Sequence, residues 1–204
     1  MIKNVIFDIG MVLLDFEWND YMQSLFDRRT AERVTEALWG TGYWHELDRA
    51  VLTDDEILDL FYSAAPDLRK EIRMTYDRIG ECVGRRDWAI PLIEELKASG
   101  HKVYYLSNMS EHVLGSDPGA FDFVPHMDGG IYSCHVQTLK PEKEIYLKLI
   151  EKYGLVPEEC IFIDDREDNV ETGRSVGMKG IVFRSRQQML EELQAATGCT
   201  LTDN

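Results

Sequence analysis

Short apolar runs bounded by turn residues recur at Asn4 to Phe7, Lys102 to Leu106, Cys160 to Ile163 and Gly180 to Phe183, with helical periodicity between them. Runs this short suit buried strands. Trp88 to Ser99 carries Ile90, Ile93 and Leu96 on one face and stops at Gly100, a residue suited to a left-handed C-cap. Lys143 to Tyr153 places Ile145, Leu149 and Tyr153 on one stripe before Gly154, and Asp168 to Val176 stops at Gly177. Strands alternating with helices predict an α/β protein whose mostly parallel sheet is covered on both faces.

The alternation fails from Phe16 to Gly84, where Ala31 to Leu38, Asp54 to Tyr62 and Leu68 to Gly80 read as helices and no strong β run appears. This predicts an α/β core of residues 1–15 and 85–204 and a helical cap of residues 16–84. A cap that leaves the sheet directly after the first strand creates a cleft beside that strand's end. The stretch Trp39-Gly40-Thr41-Gly42-Tyr43-Trp44-His45-Glu46-Leu47-Asp48-Arg49 joins glycines that permit motion to aromatics that can stack on a sugar ring. The same aromatics can equally pack the cap's own core. No internal repeat or low-complexity segment interrupts the chain, and the tail after Thr197 is expected to fray.

Composition narrows the function. With 44% hydrophobic residues and only 6 Pro and 15 Gly among 204, the chain can bury a full core, which excludes disorder. Lys+Arg 22 against Asp+Glu 37 gives a net charge of −15, so neither nucleic acid nor an anionic membrane is an expected partner. A small anion can still bind where a metal ion or a few placed cations invert the local potential. The 4 cysteines, Cys82, Cys134, Cys160 and Cys199, lie far apart without CxxC spacing, as expected of packed thiols in a reduced compartment. No long apolar run suggests a leader or a span, and the expected location is the cytoplasm.

In open parallel sheets, ligands bind beyond the carboxyl ends of the strands, so the residues that end each run are the ones to inspect. They are Asp8, Ser107 with Asn108, and Asp164 with Asp165. Each alone suits a cap or a turn; gathered at one edge, the carboxylates repel unless a cation sits among them. All-oxygen donors suit a hard ion such as Mg²⁺, which also binds phosphate oxygens. Lys140, before Pro141 and a helix, adds a compact charge suited to phosphate.

Phe7-Asp8-Ile9-Gly10-Met11-Val12-Leu13, Leu106-Ser107-Asn108, Lys140-Pro141 and Phe162-Ile163-Asp164-Asp165-Arg166 resemble, in order and spacing, the four motifs of the haloacid dehalogenase-like hydrolase superfamily. The FDxGxVL opening, Glu46-Leu47-Asp48-Arg49 and the ending through Asn169 are similar to the branch containing α-D-glucose-1-phosphate phosphatase. The resemblance implies a Rossmann-like, doubly wound parallel sheet with an inserted helical cap. It implies a Mg²⁺-dependent phosphatase acting on a small phosphorylated metabolite, a sugar phosphate by the branch, through an aspartyl-phosphate on Asp8. Lys140 would share the catalytic work. Ser107, Asn108 and Lys140 would hold the phosphoryl group, and His45, Glu46 and Arg49 of the cap would contact the substrate. Asp8, the Gly10 carbonyl, Asp164 and Asp165 would provide the metal site, with Asn169 supporting it; which of Asp164 and Asp165 touches metal stays open.

One position departs from the pattern. Most phosphatases of the superfamily carry a second aspartate two residues after the nucleophile as acid and then base; here it is Gly10. Such a group contributes about 10²- to 10⁴-fold. The donor can come from the cap, with His45, Glu46 and Asp48 as candidates. Alternatively the leaving group departs unaided, as a hemiacetal oxygen tolerates, or turnover is weak. Gly10 therefore keeps two alternatives open: a 2-haloacid dehalogenase, which Asp164-Asp165 argues against, and a phosphate-binding or interaction protein with weakened catalysis. A phosphoglucomutase-type transfer also leans on the missing group. His101, His112, His126 and His135 show no metal-ligand spacing and are expected to be structural or exposed.

Overall fold

A computed structural model describes residues 1–202. In chain order its strands are β1 Asn4–Phe7, β2 Leu14–Phe16, β3 Val83–Arg85, β4 Lys102–Ser107, β5 Gly129–Tyr132, β6 Cys160–Asp164 and β7 Lys179–Val182. The helices are α1 Trp18–Leu25, α2 Arg28–Thr35, α3 Tyr43–Arg49, α4 Asp54–Ala64, α5 Arg69–Asp77, α6 Ala89–Ala98, α7 Glu111–Ser116, α8 Ser133–Val136, α9 Lys143–Tyr153, α10 Glu167–Ser175 and α11 Arg186–Thr197.

The expected parallel sheet is present, with five strands in the order β5-β4-β1-β6-β7. All of its pairings are parallel. Period-two alternation along β1 divides the core: Val5 and Phe7 join the cluster that contains Leu92, Ile93, Met189 and Leu193, whereas Ile6 joins Ile145, Tyr146, Leu149 and Phe162. Helices thus cover both faces, with α6 and α11 on one and α9 on the other. From β1 the sheet extends to β4 and β5 on one side and to β6 and β7 on the other, so β1 lies at the switch point where such sheets open a crevice at their carboxyl edge.

Three strands escape the sequence pattern. β2 and β3 are three residues each and pair antiparallel, Leu14 opposite Arg85 and Phe16 opposite Val83, forming a ribbon that closes the entry and exit of the segment between them. β5 begins Gly129-Gly130, a sequence of low strand propensity. Gly130 is needed there, because a Cβ would lie 2.4 Å from the carbonyl oxygen of Tyr105 on β4.

Between β2 and β3 the segment is helical, α1 to α5, with a π-turn at Glu36–Gly40 that carries Trp39. Its helices start where the local chemistry allows. Asp27 caps α2 by accepting from the N–H groups of Arg29 and Thr30, and Thr53 with Glu56 forms a capping box on α4. Phe61, Ile57 and Tyr76 turn inward, and Trp39, Trp44 and Phe61 stack in series, with Trp39 and Trp44 centroids 4.7 Å apart. No described helix is long and apolar enough to cross a membrane.

Candidate active site

The register places the ends of β1, β4 and β6 side by side. Phe7 pairs with Tyr105 and Ile163, so Asp8, Ser107 and Asp164 leave the sheet at the same edge. Lys140, which follows the turn after α8, reaches into this edge. Its Nζ lies 2.7 Å from Asp8 Oδ1 and 2.7 Å from Asp164 Oδ2, and its side chain is 1% exposed. Asp164 is saturated: it also accepts from the amide side chain of Asn169 and from the backbone N–H of Arg166. Asp8 Oδ1 accepts from the backbone N–H of Ile9 at 2.7 Å. Asp165, by contrast, makes no ion pair and no side-chain hydrogen bond to another of the described residues, although its carboxylate oxygen lies within 4.8 Å of those of Asp8 and Asp164.

Three carboxylates against one ammonium leave two negative charges in a largely dry site. Burial pushes the Asp8 carboxyl up to about 7, with Asp164 adding to the rise and Lys140 opposing it. Burial and Asp164 likewise raise Asp165. For Lys140 burial acts downward, but the attraction of Asp164 and Asp8 outweighs it and raises the ammonium, so it stays charged. A divalent cation would cancel the excess. The donors fit Mg²⁺: Asp165 has unengaged oxygens, and two buried polar atoms, Ser107 Oγ and Asn169 Oδ1, have no hydrogen-bond partner. Ser107 Oγ is close enough to bias Asp8 downward, yet it makes no bond of ordinary geometry.

Asn108 serves differently from the other strand-end residues. Its Nδ2 donates to the Lys140 carbonyl at 2.9 Å and its Oδ1 accepts from the Lys140 N–H at 2.8 Å, so its side chain fixes the lysine loop. This leaves its backbone for other partners.

The helical segment forms the opposite wall. A cavity of about 430 Å³ is lined by Asp8, Gly10, Asn108, Lys140, Asp165 and Asn169 from the sheet edge and by Trp18, Trp39, Trp44, His45 and Asp48 from the helices. Of the segment residues expected at the site, His45 and Asp48 line it; Glu46 and Arg49 do not. Arg49 is committed elsewhere, with its guanidinium 2.6 Å from Glu142 and a second contact to the Gln137 carbonyl. Together with Ser133 Oγ donating to the Asp48 carbonyl at 2.7 Å, it ties α3 to the sheet side. Ser133, Phe16, Trp18, Thr35, Ile79, Met109 and Val113 escape sequence reasoning, because none belongs to a motif and only the tertiary packing brings them here; Arg166 ends the fourth motif but carried no expected role.

Asp48 is 7% exposed, and burial pushes its carboxyl up to about 8, with Asp8 adding to the rise and Lys140 opposing it. The folded form therefore retains a proton that an unfolded carboxyl with the ordinary value of 3.8 gives up. Folding stability should fall as pH rises from about 4 to 8 and then level off, at a slope approaching ~1.4 kcal/mol per pH unit for one proton. In metal-free buffer the thermal midpoint is expected to drop between pH 5 and 8, and less so in D48N. Parallel curves for the two proteins would show that Asp48 is already ionised in the fold at pH 5.

Of the histidines that sequence spacing left without a metal role, His112 stacks on Tyr76 and His126 pairs with Glu94, while His135 pairs with Glu111 and lies with it and Cys134 in a group whose donor atoms fall within 4.8 Å of one another. The cysteines are free, with Cys82, Cys134 and Cys160 buried.

Known proteins are similar over most of this chain. A sesquiterpene phosphatase of Aspergillus oryzae is 26% identical over 97% of each chain. The D-ribitol-5-phosphate phosphatase of Bacteroides thetaiotaomicron is 27% identical over 88% of this chain and 90% of its own. A drimenol cyclase of Aspergillus calidoustus is 25% identical over 95% of this chain, which spans only 36% of that longer protein. Among solved structures, a HAD family enzyme of Bacteroides thetaiotaomicron in complex with magnesium and inorganic phosphate superposes with a TM-score of 0.72 at 21% identity, covering 91% of this chain and 96% of the other. The model of the haloacid dehalogenase-like hydrolases matches residues 2–177, through every strand-end residue described above, and this chain belongs to that family.

Proposed function

We propose that this protein is a Mg²⁺-dependent phosphomonoesterase that acts on a small phosphorylated metabolite through an aspartyl-phosphate on Asp8. The observation that carries the reading is the Asp8–Lys140–Asp164 chain, two 2.7 Å ion pairs at the switch-point edge, beside the unengaged Asp165. Phosphatase relatives support it. In this reading Asp8, the Gly10 carbonyl and Asp165 hold the metal, while Asp164 fixes Lys140. When bound, Mg²⁺ would offset the negative charge of the transferring phosphoryl group.

The steps follow from the chain's own groups. Lys140 holds Asp8 in place and supplies positive charge to the phosphoryl oxygens, which the Ser107 hydroxyl and the Asn108 backbone also meet. An Asp8 carboxylate oxygen forms a bond to phosphorus as the bond to the leaving alcohol breaks. Gly10 cannot protonate that oxygen. Asp48 is the cap-side donor: it lines the same cavity, it is buried beside Lys140 and Asp8, and it holds a proton near neutral pH. His45 is exposed and Glu46 lies off the cavity. After the alcohol leaves, the Asp48 carboxylate takes a proton from water, which attacks phosphorus and releases Asp8 and inorganic phosphate. The helical segment serves as a cap that excludes bulk water, and Arg49 positions Asp48 through its anchor on Glu142. A sugar phosphate is one substrate class that fits relatives such as the ribitol-5-phosphate enzyme; the sesquiterpene phosphatase shows a different leaving group on the same scaffold.

The test is phosphate release from a panel of phosphomonoesters, with Mg²⁺ and with excess EDTA. Release that requires Mg²⁺ is expected. Chloride release from 2-chloropropionate without metal, with no phosphate released from any ester, would overturn the reading in favour of a dehalogenase.

A further inference from the structure

We infer that the alcohol part of the substrate is apolar: the cavity is shaped for the phosphate monoester of an aliphatic, prenyl or aromatic alcohol and disfavours a polyol. This deepens the phosphatase reading and rests on it, because the phosphoryl group at Asp8 fixes where the alcohol part must go. Beyond that group the wall is formed by Phe16, Trp18, Trp39, Trp44, Ile79 and Val113. The four aromatic residues among them are half-buried, the first facing the helices from β2 and the others belonging to the helical segment.

Away from the phosphoryl end, where Asp165 and Asn169 Oδ1 are unengaged, most polar side chains other than the indoles of Trp39 and Trp44 are already taken up. The Thr35 hydroxyl accepts from the indole N–H of Trp18 at 3.2 Å. Both ends of the Asn108 amide are tied to Lys140, and the Arg166 guanidinium pairs with Asp168 at 2.9 Å. Asp48 lies within the fields of Asp8 and Lys140, at the phosphoryl end. His45 remains, and it is exposed.

A polyol chain bears a hydroxyl on nearly every carbon. Seated against this wall, each hydroxyl that loses water without gaining a partner lowers kcat/KM by about tenfold. A methylene in the same place gains by leaving water, about threefold to fourfold each. A volume of about 430 Å³ is large enough for an alcohol of eight to ten carbons beside a phosphate, within the ordinary range of ligand cavities.

The experiment compares kcat/KM for ethyl, butyl and octyl monophosphates and a prenyl monophosphate with that for ribitol 5-phosphate and glucose 6-phosphate, all with Mg²⁺. The expected result is a rise of about threefold per added methylene until the cavity fills, and a preference of at least about 100-fold for the octyl or prenyl ester over either polyol ester. Turnover of the polyol esters at equal or greater efficiency overturns the inference and leaves the phosphatase reading intact. If no ester is hydrolysed, the phosphatase reading fails instead, and the cavity is tested by binding: tryptophan emission is followed on titration with octylphosphonate and methylphosphonate. Binding of the octyl compound at least about 30-fold tighter supports an apolar-ligand site; equal binding, or none, overturns it.

Discussion

Asp8→Asn is expected to lower kcat by at least about 10⁴-fold, or ~5.4 kcal/mol of transition-state stabilisation at about 1.36 kcal/mol per tenfold. An amide is a far poorer nucleophile toward phosphorus than a carboxylate, and no other unengaged carboxylate is bonded to Lys140. Asp164, the lysine's second partner, is saturated by Asn169 and the Arg166 N–H as well as by Lys140 itself. The substitution should not unfold the protein. It removes one of the carboxylates that crowd the site and leaves Lys140 and Asp164 as a neutral buried pair, so the thermal midpoint is expected to stay or rise. Initial rates, thermal midpoints and mass spectrometry of acid-quenched enzyme check the three parts together. Wild type should gain the mass of one phosphoryl group during turnover, and D8N should not. Retention of more than about a tenth of the wild-type kcat in a folded D8N protein would remove Asp8 from the role of nucleophile.

Asp48→Asn is expected to have the second largest effect, and its signature depends on the leaving group. The amide keeps the shape of the side chain but cannot deliver a proton. For alkyl phosphates, whose alkoxide is a poor leaving group, kcat/KM should fall by about 10²- to 10⁴-fold. For p-nitrophenyl phosphate, whose phenolate departs without protonation, kcat/KM should change by less than about threefold. A merely structural role for Asp48 would depress both alike. Its second task, accepting a proton from water, belongs to breakdown of the phosphoenzyme and should lower kcat for both substrates where that step limits. The groups that face Asp48 from the packed elements are Asp8 and Lys140 at the sheet edge and Cys134 on α8. The alkaline limb of wild-type kcat/KM for alkyl esters, where Asp48 loses its proton, is therefore expected to lose its Asp48 component in D48N, and the acid limb to stay. Gly10 offers a rescue. Its backbone is not in the left-handed region, and a Cβ there would touch only a Phe16 ring carbon at 3.5 Å, so G10D is sterically admissible. G10D in the D48N background should recover part of the lost rate on alkyl esters.

The elements that position the site were legible because they rest on local rules. β1, β4 and β6 are apolar runs buried at all or most positions, as strands covered on both faces must be, and β7 is a short, less buried run; α6, α9 and α10 keep one apolar stripe and stop at or just before glycines or a polar turn. β2, β3 and β5 were not. A three-residue strand carries too little pattern to distinguish it from a turn, and Gly129-Gly130 is a strand through its parallel pairing with β4, where Tyr105 leaves no room for a side chain at position 130. The residues at the strand termini do lie together, since a parallel sheet must bring them to one edge.

Order along the chain determined the family, the sheet and the list of polar residues at its carboxyl edge, because those depend on motif spacing and hydrophobic period. What each of those residues does was decided only in three dimensions. Asp164 and Asp165 are adjacent in sequence and identical in type, yet one points into a 0%-exposed cage of Lys140, Asn169 and a backbone N–H, and the other keeps its oxygens unengaged. Glu46, Asp48 and Arg49 share one helix, yet a 3.6-residue turn rotates Asp48 alone into the cavity, while Arg49 meets Glu142 across the interface. The aromatic wall likewise gathers Phe16, Trp18, Trp39 and Trp44 from separate elements around a common space. Burial and charge proximity act through space, so proton affinity and the engagement of each carboxylate were decided by tertiary packing, whereas the local pattern fixed only which residues were there to be packed.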